Sequence, residues 1–162
     1  MGKRSTKENK NIYQQSREAA GLTREAAEEL TFISSDRIER IENDKSVPHP
    51  DEVLAMEQGY RAPTLSNYYC THECPIGMKY VPAVGLKELP QLTVELLSAL
   101  HALEEERDTL IDIAVDGRVN AFERKEFDVI LTKLAALDRG IRGMRIWIEH
   151  AMTSGKLDEA SE

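Results

Sequence analysis

Little in this sequence suits a sheet, a secreted scaffold or a membrane. Aromatic residues make up only 6% of the chain, while Ala, Leu and Glu are frequent, and side chains unbranched at Cβ lose little rotamer freedom in a helix. Two cysteines, Cys70 and Cys74, are too few for a disulfide framework and fit a reducing compartment. No run approaches the roughly eighteen apolar residues of a spanning helix. The start MGKRSTKENK has no apolar stretch of the secretory kind. A cytoplasmic protein without a membrane partner is expected.

A basic surplus is missing as well. The formal net charge is −8, which by itself speaks against nucleic acid, because phosphate contacts are made mainly by Lys and Arg. The distribution reverses that reading. Residues 1–50 carry nine Lys and Arg against nine Asp and Glu, whereas residues 51–162 carry twelve against twenty, so the difference of −8 lies wholly in the later part. The sequence also lacks a nucleophile with a base, carboxylates paired for a pocket, and a phosphate-cradling glycine loop. No enzyme and no cofactor is expected.

Helical patterning fills most of what is present, and an all-α fold is expected. Residues 1–10, with Lys3, Arg4, Lys7 and Lys10, read as an unpatterned basic arm, disordered in isolation. From Ile12 to Tyr60 the pattern predicts four short helices. Asn11 caps the first, which stops at Gly21, a residue that accepts the left-handed conformation. Thr23 caps the second, which ends near Thr31 with Glu25 at the positive end of its dipole. Ser34 or Ser35 caps the third, and Ile38 and Ile41 give it an inward edge. NDKSVPHP ends that helix, since proline cannot donate to a helical ladder. Asp51 then opens the fourth, carrying Val53, Leu54, Ala55 and Met56.

Residues 63–90 hold four of the six prolines and read as a linker containing Cys70 and Cys74, with Tyr68, Tyr69, Ile76 and Tyr80 to pack on something. Residues 91–152 read as a long, coiled-coil-like helical hairpin. Its first arm is marked by Leu92, Leu96, Leu97, Leu100, Leu103, Leu110, Ile111 and Ala114. In the second, Phe127, Ile130, Leu134, Leu137, Ile141, Met144, Ile148 and Ala151 alternate steps of three and four, a heptad seam that calls for a partner helix. That helix is either the first arm of the same chain or one from a second copy. Residues 153–162 read as a flexible tail.

The stretches AAGLTREAAEEL (19–30), ISSDRIERIENDKSVP (33–48) and PDEVLAM (50–56) resemble the Cro and phage-repressor-like helix-turn-helix family, also called the XRE family, over about residues 11–60. Gly21, Leu22, Thr23, Ser34, Arg40, Ile41, Glu42, Asn43 and Pro48 carry the likeness. The resemblance implies a four- to five-helix DNA-binding domain over residues 11–62. A brace helix and a recognition helix would meet at a tight turn, the second entering the major groove of duplex DNA. It also implies that Ser34, Ser35, Asp36, Glu39, Arg40 and Asn43 face the groove, with Arg24 and Lys45 near phosphates. Arg40 has a second reading as a structural ion pair with Glu42 or a neighbour. The chain departs from the family at Glu28, where a small residue is usual, and at Phe32, where the turn usually has glycine. Glu28 is expected to point outward and Phe32 to pack as core, although a bulky residue in a left-handed turn there is strained.

Two lesser motifs weigh less. Cys70, His72 and Cys74 are zinc-type ligands, but a fourth is not at hand and the spacing is not CxxC, so no metal is expected. DIAVDGRVNAFE (112–123) overlays a calcium loop at Asp112, Asp116, Gly117, Val119 and Glu123 but has Ala114 at the third place. A tight turn with Gly117 left-handed and Asn120 as the next cap suits it better. The expectation is therefore a bacterial or phage-type transcriptional regulator that binds double-stranded DNA as a homodimer through the hairpin. The alternatives are an adaptor that keeps the fold without binding DNA, its acidic C-terminal region meeting a protein partner, and a redox- or ligand-sensing regulator using Cys70 and Cys74.

Overall fold

A computed structural model describes residues 10–157. Lys3, Arg4 and Lys7 of the expected arm and the end of the expected tail lie outside the described residues. All regular structure among the described residues is helical, as expected. The chain divides into two compact units, one of residues up to 83 together with those from 149 onward, the other of residues 84–148.

In the first unit, α1 (Ile12–Ala19), α2 (Arg24–Thr31), α3 (Ser35–Glu42) and α4 (Pro50–Tyr60) follow the caps that their sequences supply. The side chains of Asn11, Thr23 and Ser34 accept from the backbone N–H groups of Gln14, Ala26 and Arg37, filling donors that the first helical turn leaves open. Gly21, at φ +73°, reverses the chain after α1. The fourth helix begins at Pro50, one residue earlier than the sequence predicts, because the first helical position needs no N–H. Tyr13, Ala27, Ile33, Ile38, Ile41, Val53, Met56, Tyr60 and Leu65 are buried together. Each large member contributes roughly 1.5–3 kcal/mol from apolar area removed from water.

The segment read as a linker carries two further helices, α5 (Leu65–His72) and α6 (Pro75–Tyr80). The prolines misled the reading because Pro75 stands in the first turn of α6, where proline is tolerated. Leu65 is fully buried in the core, with Tyr68 and Tyr69 packed against it. Tyr13 donates to Glu73 Oε2 at 2.9 Å, meets Tyr68 edge to face at 6.2 Å, and Tyr68 stacks on His72 at 4.2 Å.

Burial pushes the Glu73 carboxyl above the usual carboxylate range, against the lowering effect of the Tyr13 hydrogen bond. A carboxyl raised on folding contributes stability that is fully present below its unfolded pKa and is lost as pH rises through the folded value. Glu73→Gln keeps an acceptor for Tyr13 without the charge. Its urea midpoint at neutral pH is expected to exceed that of the wild type, the two converging in acid; a lower midpoint at neutral pH would sink this account.

The second unit contains α7 (Leu89–Glu104), α8 (Arg107–Ala114) and most of α9 (Arg124–Thr153). The first arm of the hairpin is therefore broken at Glu105 and Glu106 rather than continuous. Glu106 accepts from Lys133 Nζ at 2.5 Å, with both side chains about one-quarter exposed or less, so one of the three consecutive glutamates is tied to α9. Gly117 is left-handed at φ +70°. Asn120 Oδ1 accepts from the N–H groups of Phe122 and Glu123 while Glu123 Oε2 accepts from Asn120 N. This reciprocal cap occupies the carboxylate that a calcium loop would use.

The expected seam of α9 is covered only in part. Ile130 is fully buried and Leu137 and Met144 are half-buried, but Leu134, Ile141 and Ile148 stay about two-fifths exposed. The cause is where α7 crosses. A Cβ on Gly140 would lie 3.1 Å from Leu96 and one on Gly143 2.8 Å from Leu92, so α7 approaches over the glycines, to one side of the aliphatic seam.

Candidate nucleic-acid interface

α2 and α3 are joined by Phe32, Ile33 and Ser34, a turn tight enough to need one left-handed residue. That residue is Phe32, at φ 59°. It does not pack as core: its side chain is 93% exposed. The chain direction reverses there while Thr31 and Ile33 on either side are buried, and a left-handed backbone between two inward side chains turns the middle one out. A left-handed L-residue costs about 1–2 kcal/mol, part of which glycine would return as unfolded-state entropy. Phe32→Gly is expected to raise stability by up to about 1 kcal/mol, read as a higher urea midpoint; a drop would mean that Phe32 makes stabilising contacts.

Glu28 points outward, as expected, and has a local task. Its carboxylate accepts from the Ser35 N–H at 2.9 Å, at the N-terminal end of α3. A negative charge is favoured there by the helix dipole, and Ser34 Oγ accepts from Arg37 N in the same turn. Two first-turn donors of α3 are thereby filled from within the chain.

The inner edge of α3 is Ile38, Ile41 and Glu42, all fully buried. Opposite them, Asp36, Glu39 and Arg40 are exposed, Asn43 is half-buried at the C-terminal cap, and Lys45 is exposed just beyond. Ser34 is exposed and Ser35 half-buried at the N-terminal end. The eight residues singled out from the sequence thus lie on α3, its two ends and the start of α2.

Their charges are not equally available. Arg24 donates from Nε to Glu42 Oε2 at 2.9 Å and stands 3.7 Å from Glu39. Among the described residues Arg40 and Lys45 form no ion pair. The structural pairing considered for Arg40 falls to Arg17 instead, which donates to both oxygens of Glu42, at 2.5 and 3.0 Å, and to the Leu22 carbonyl at 2.6 Å. Burial lowers and the Glu42 hydrogen bonds raise the Arg17 pKa, with a net rise.

Arg37 lies on α3 but turns away, donating to Glu52 at 2.7 Å through two nitrogens and to Ser46 Oγ at 2.7 Å. It holds the connection between α3 and α4. Neither Arg17 nor Arg37 stood out in the sequence, because each finds its carboxylate on another helix.

Cys70 and Cys74 are half-buried, and Cys74 Sγ accepts from Gly77 N at 3.4 Å. No helix among the described residues is long and apolar enough to cross a membrane.

Residues 14–65 match the family model of a helix-turn-helix domain. Searches of curated proteins and of solved structures find no match. The matched residues run from α1 to the first residue of α5, and so include both helices of the pair, the turn and Arg17 with its partner Glu42.

Proposed function

We propose, from the helix-turn-helix domain at residues 14–65, that this chain is a sequence-specific double-stranded DNA-binding transcriptional regulator of bacterial or phage type. It acts by binding rather than catalysis, in the cytoplasm, as a homodimer through its C-terminal hairpin. The observation that carries the reading is α3 itself: a short helix braced by α2, with its apolar edge fully buried and a polar edge turned to solvent. The major groove of B-DNA admits one such helix.

Ser34, Ser35, Asp36, Glu39, Arg40 and Asn43 would face base edges, with Arg24 and Lys45 toward phosphates. Asp36 and Glu39 accept hydrogen bonds from cytosine amino groups but repel phosphates. The carboxylate of Glu28 adds a further negative charge at the leading end of α3. Binding by one domain is therefore weak and strongly salt-dependent, and two half-sites one helical turn apart supply the affinity.

The test is capture of fragmented genomic DNA by the purified full-length chain at low and at physiological salt. A short two-fold symmetric site enriched at physiological salt is the expected result. The adaptor reading is favoured by one observation, the exposed Phe32 beside an acidic α3 edge; no enrichment at either salt would transfer the assignment to it.

A further inference from the structure

Leu131, Leu134, Asp138, Ile141, Arg145 and Ile148 follow one another on α9 by steps of three and four, the spacing of the two core positions of a heptad. The four aliphatic members are 44, 40, 42 and 39% exposed in that order. They form a continuous stripe beside the face that Ile130, Gly140 and Gly143 bury. A heptad stripe that regular, which its own chain covers only in part, has the form of half an interface. Its two polar members have opposite charge and lie one heptad apart.

Deepening the homodimer reading above, on which this rests, we propose that the stripe is where two copies of this chain meet, with the two α9 helices antiparallel. The signs of Asp138 and Arg145 select the direction. In a parallel pair each seam position faces its own copy, so Asp138 would meet Asp138 and Arg145 would meet Arg145, which like-charge repulsion in a desolvated seam disfavours.

In an antiparallel pair with its two-fold axis between Arg139 and Gly140, Leu131 faces Ile148 of the second copy and Asp138 faces Ile141. Arg145 of the second copy then lies level with Leu134, about one helical turn from Asp138. Both carboxylate oxygens of Asp138 accept from Arg142 Nε of its own helix, at 3.1 and 3.3 Å, and with the side chain 46% exposed the remaining lone pairs can still accept from the incoming guanidinium. Each copy thus supplies one acid and one base to a symmetric pair of cross-contacts.

The test uses the full-length chain. Light scattering should give twice the chain mass for the wild type. Asp138→Arg and Arg145→Asp should each weaken the dimer by at least about tenfold, because each creates a like-charge cluster, and combining them should restore it. Circular dichroism checks that the single variants stay helical. Direction is read by disulfide trapping with Cys70→Ser and Cys74→Ser in the background. A mixture of Leu131→Cys and Ile148→Cys chains should cross-link, and neither alone should.

Cross-linking of each variant with itself would overturn the antiparallel arrangement while leaving the homodimer standing. Wild-type tightness in both single charge variants would overturn this seam as the interface. A monomeric wild type would overturn the homodimer as well, and the genomic-capture result would still decide DNA binding separately.

Discussion

Glu42→Ala is expected to lower the stability of the N-terminal unit by about 3–5 kcal/mol, the usual cost of breaking a buried ion pair from one side. Glu42 is 1% exposed, and its two carboxylate oxygens accept three hydrogen bonds from Arg17 and Arg24. Removing it leaves the Arg17 guanidinium, itself only 7% exposed, with the Leu22 carbonyl as its remaining partner. A charge in that position is neither solvated nor paired.

Since domains are stable by only about 5–15 kcal/mol, such a loss consumes a large share of the total. Urea denaturation followed by helical signal measures it. The control is the double variant Arg17→Met with Glu42→Leu, which removes both charges and should be less destabilised than Glu42→Ala alone. A loss below about 1 kcal/mol for Glu42→Ala would mean that the pair behaves as a surface contact.

Arg40→Ala is expected to weaken binding to the captured DNA site by about 5- to 150-fold, from the roughly 1–3 kcal/mol typical of one groove-facing arginine. The structure sharpens this prediction by clearing the rival role. Glu42 is already filled by Arg17 and Arg24, so truncating the exposed Arg40 should leave the urea midpoint nearly unchanged. The two measurements are therefore separable in one variant. Titration of labelled duplex at several salt concentrations gives affinity and slope together. A uniform loss across sequences with a shallower slope assigns Arg40 to phosphate, and a loss confined to the captured site assigns it to a base. A matching loss of stability would return Arg40 to a structural role.

The helix starts were legible because caps are local. Asn11, Thr23 and Ser34 each serve an N–H three residues on, and Gly21 and Gly117 each permit a left-handed turn where the pattern stops. The linker reading of residues 63–90 failed for a related reason: proline marks a helix start as readily as a break, and what distinguishes them here is the burial of Leu65 in a core built by residues up to 52 positions earlier. Phe32 was half legible. The left-handed turn followed from the resemblance, but the outward direction of the ring depends on Thr31 and Ile33 both being drawn inward.

What the sequence alone determined is the helical class and the first four helices with their caps, because these follow from side-chain periodicity and from hydrogen bonds spanning three or four residues; the residues of the α3 edge were implied by the family resemblance. Tertiary structure decided which charges remain available. It paired Glu42 with Arg17 across 25 positions and Arg37 with Glu52 across 15, and it brought Glu28 onto the first turn of α3, leaving Arg40 and Lys45 outside the ion pairs of the described residues. It also decided which part of the α9 seam stays uncovered, because α7 packs over Gly140 and Gly143. Periodicity names a face; only the approach of a neighbouring helix determines how much of that face its own chain can bury.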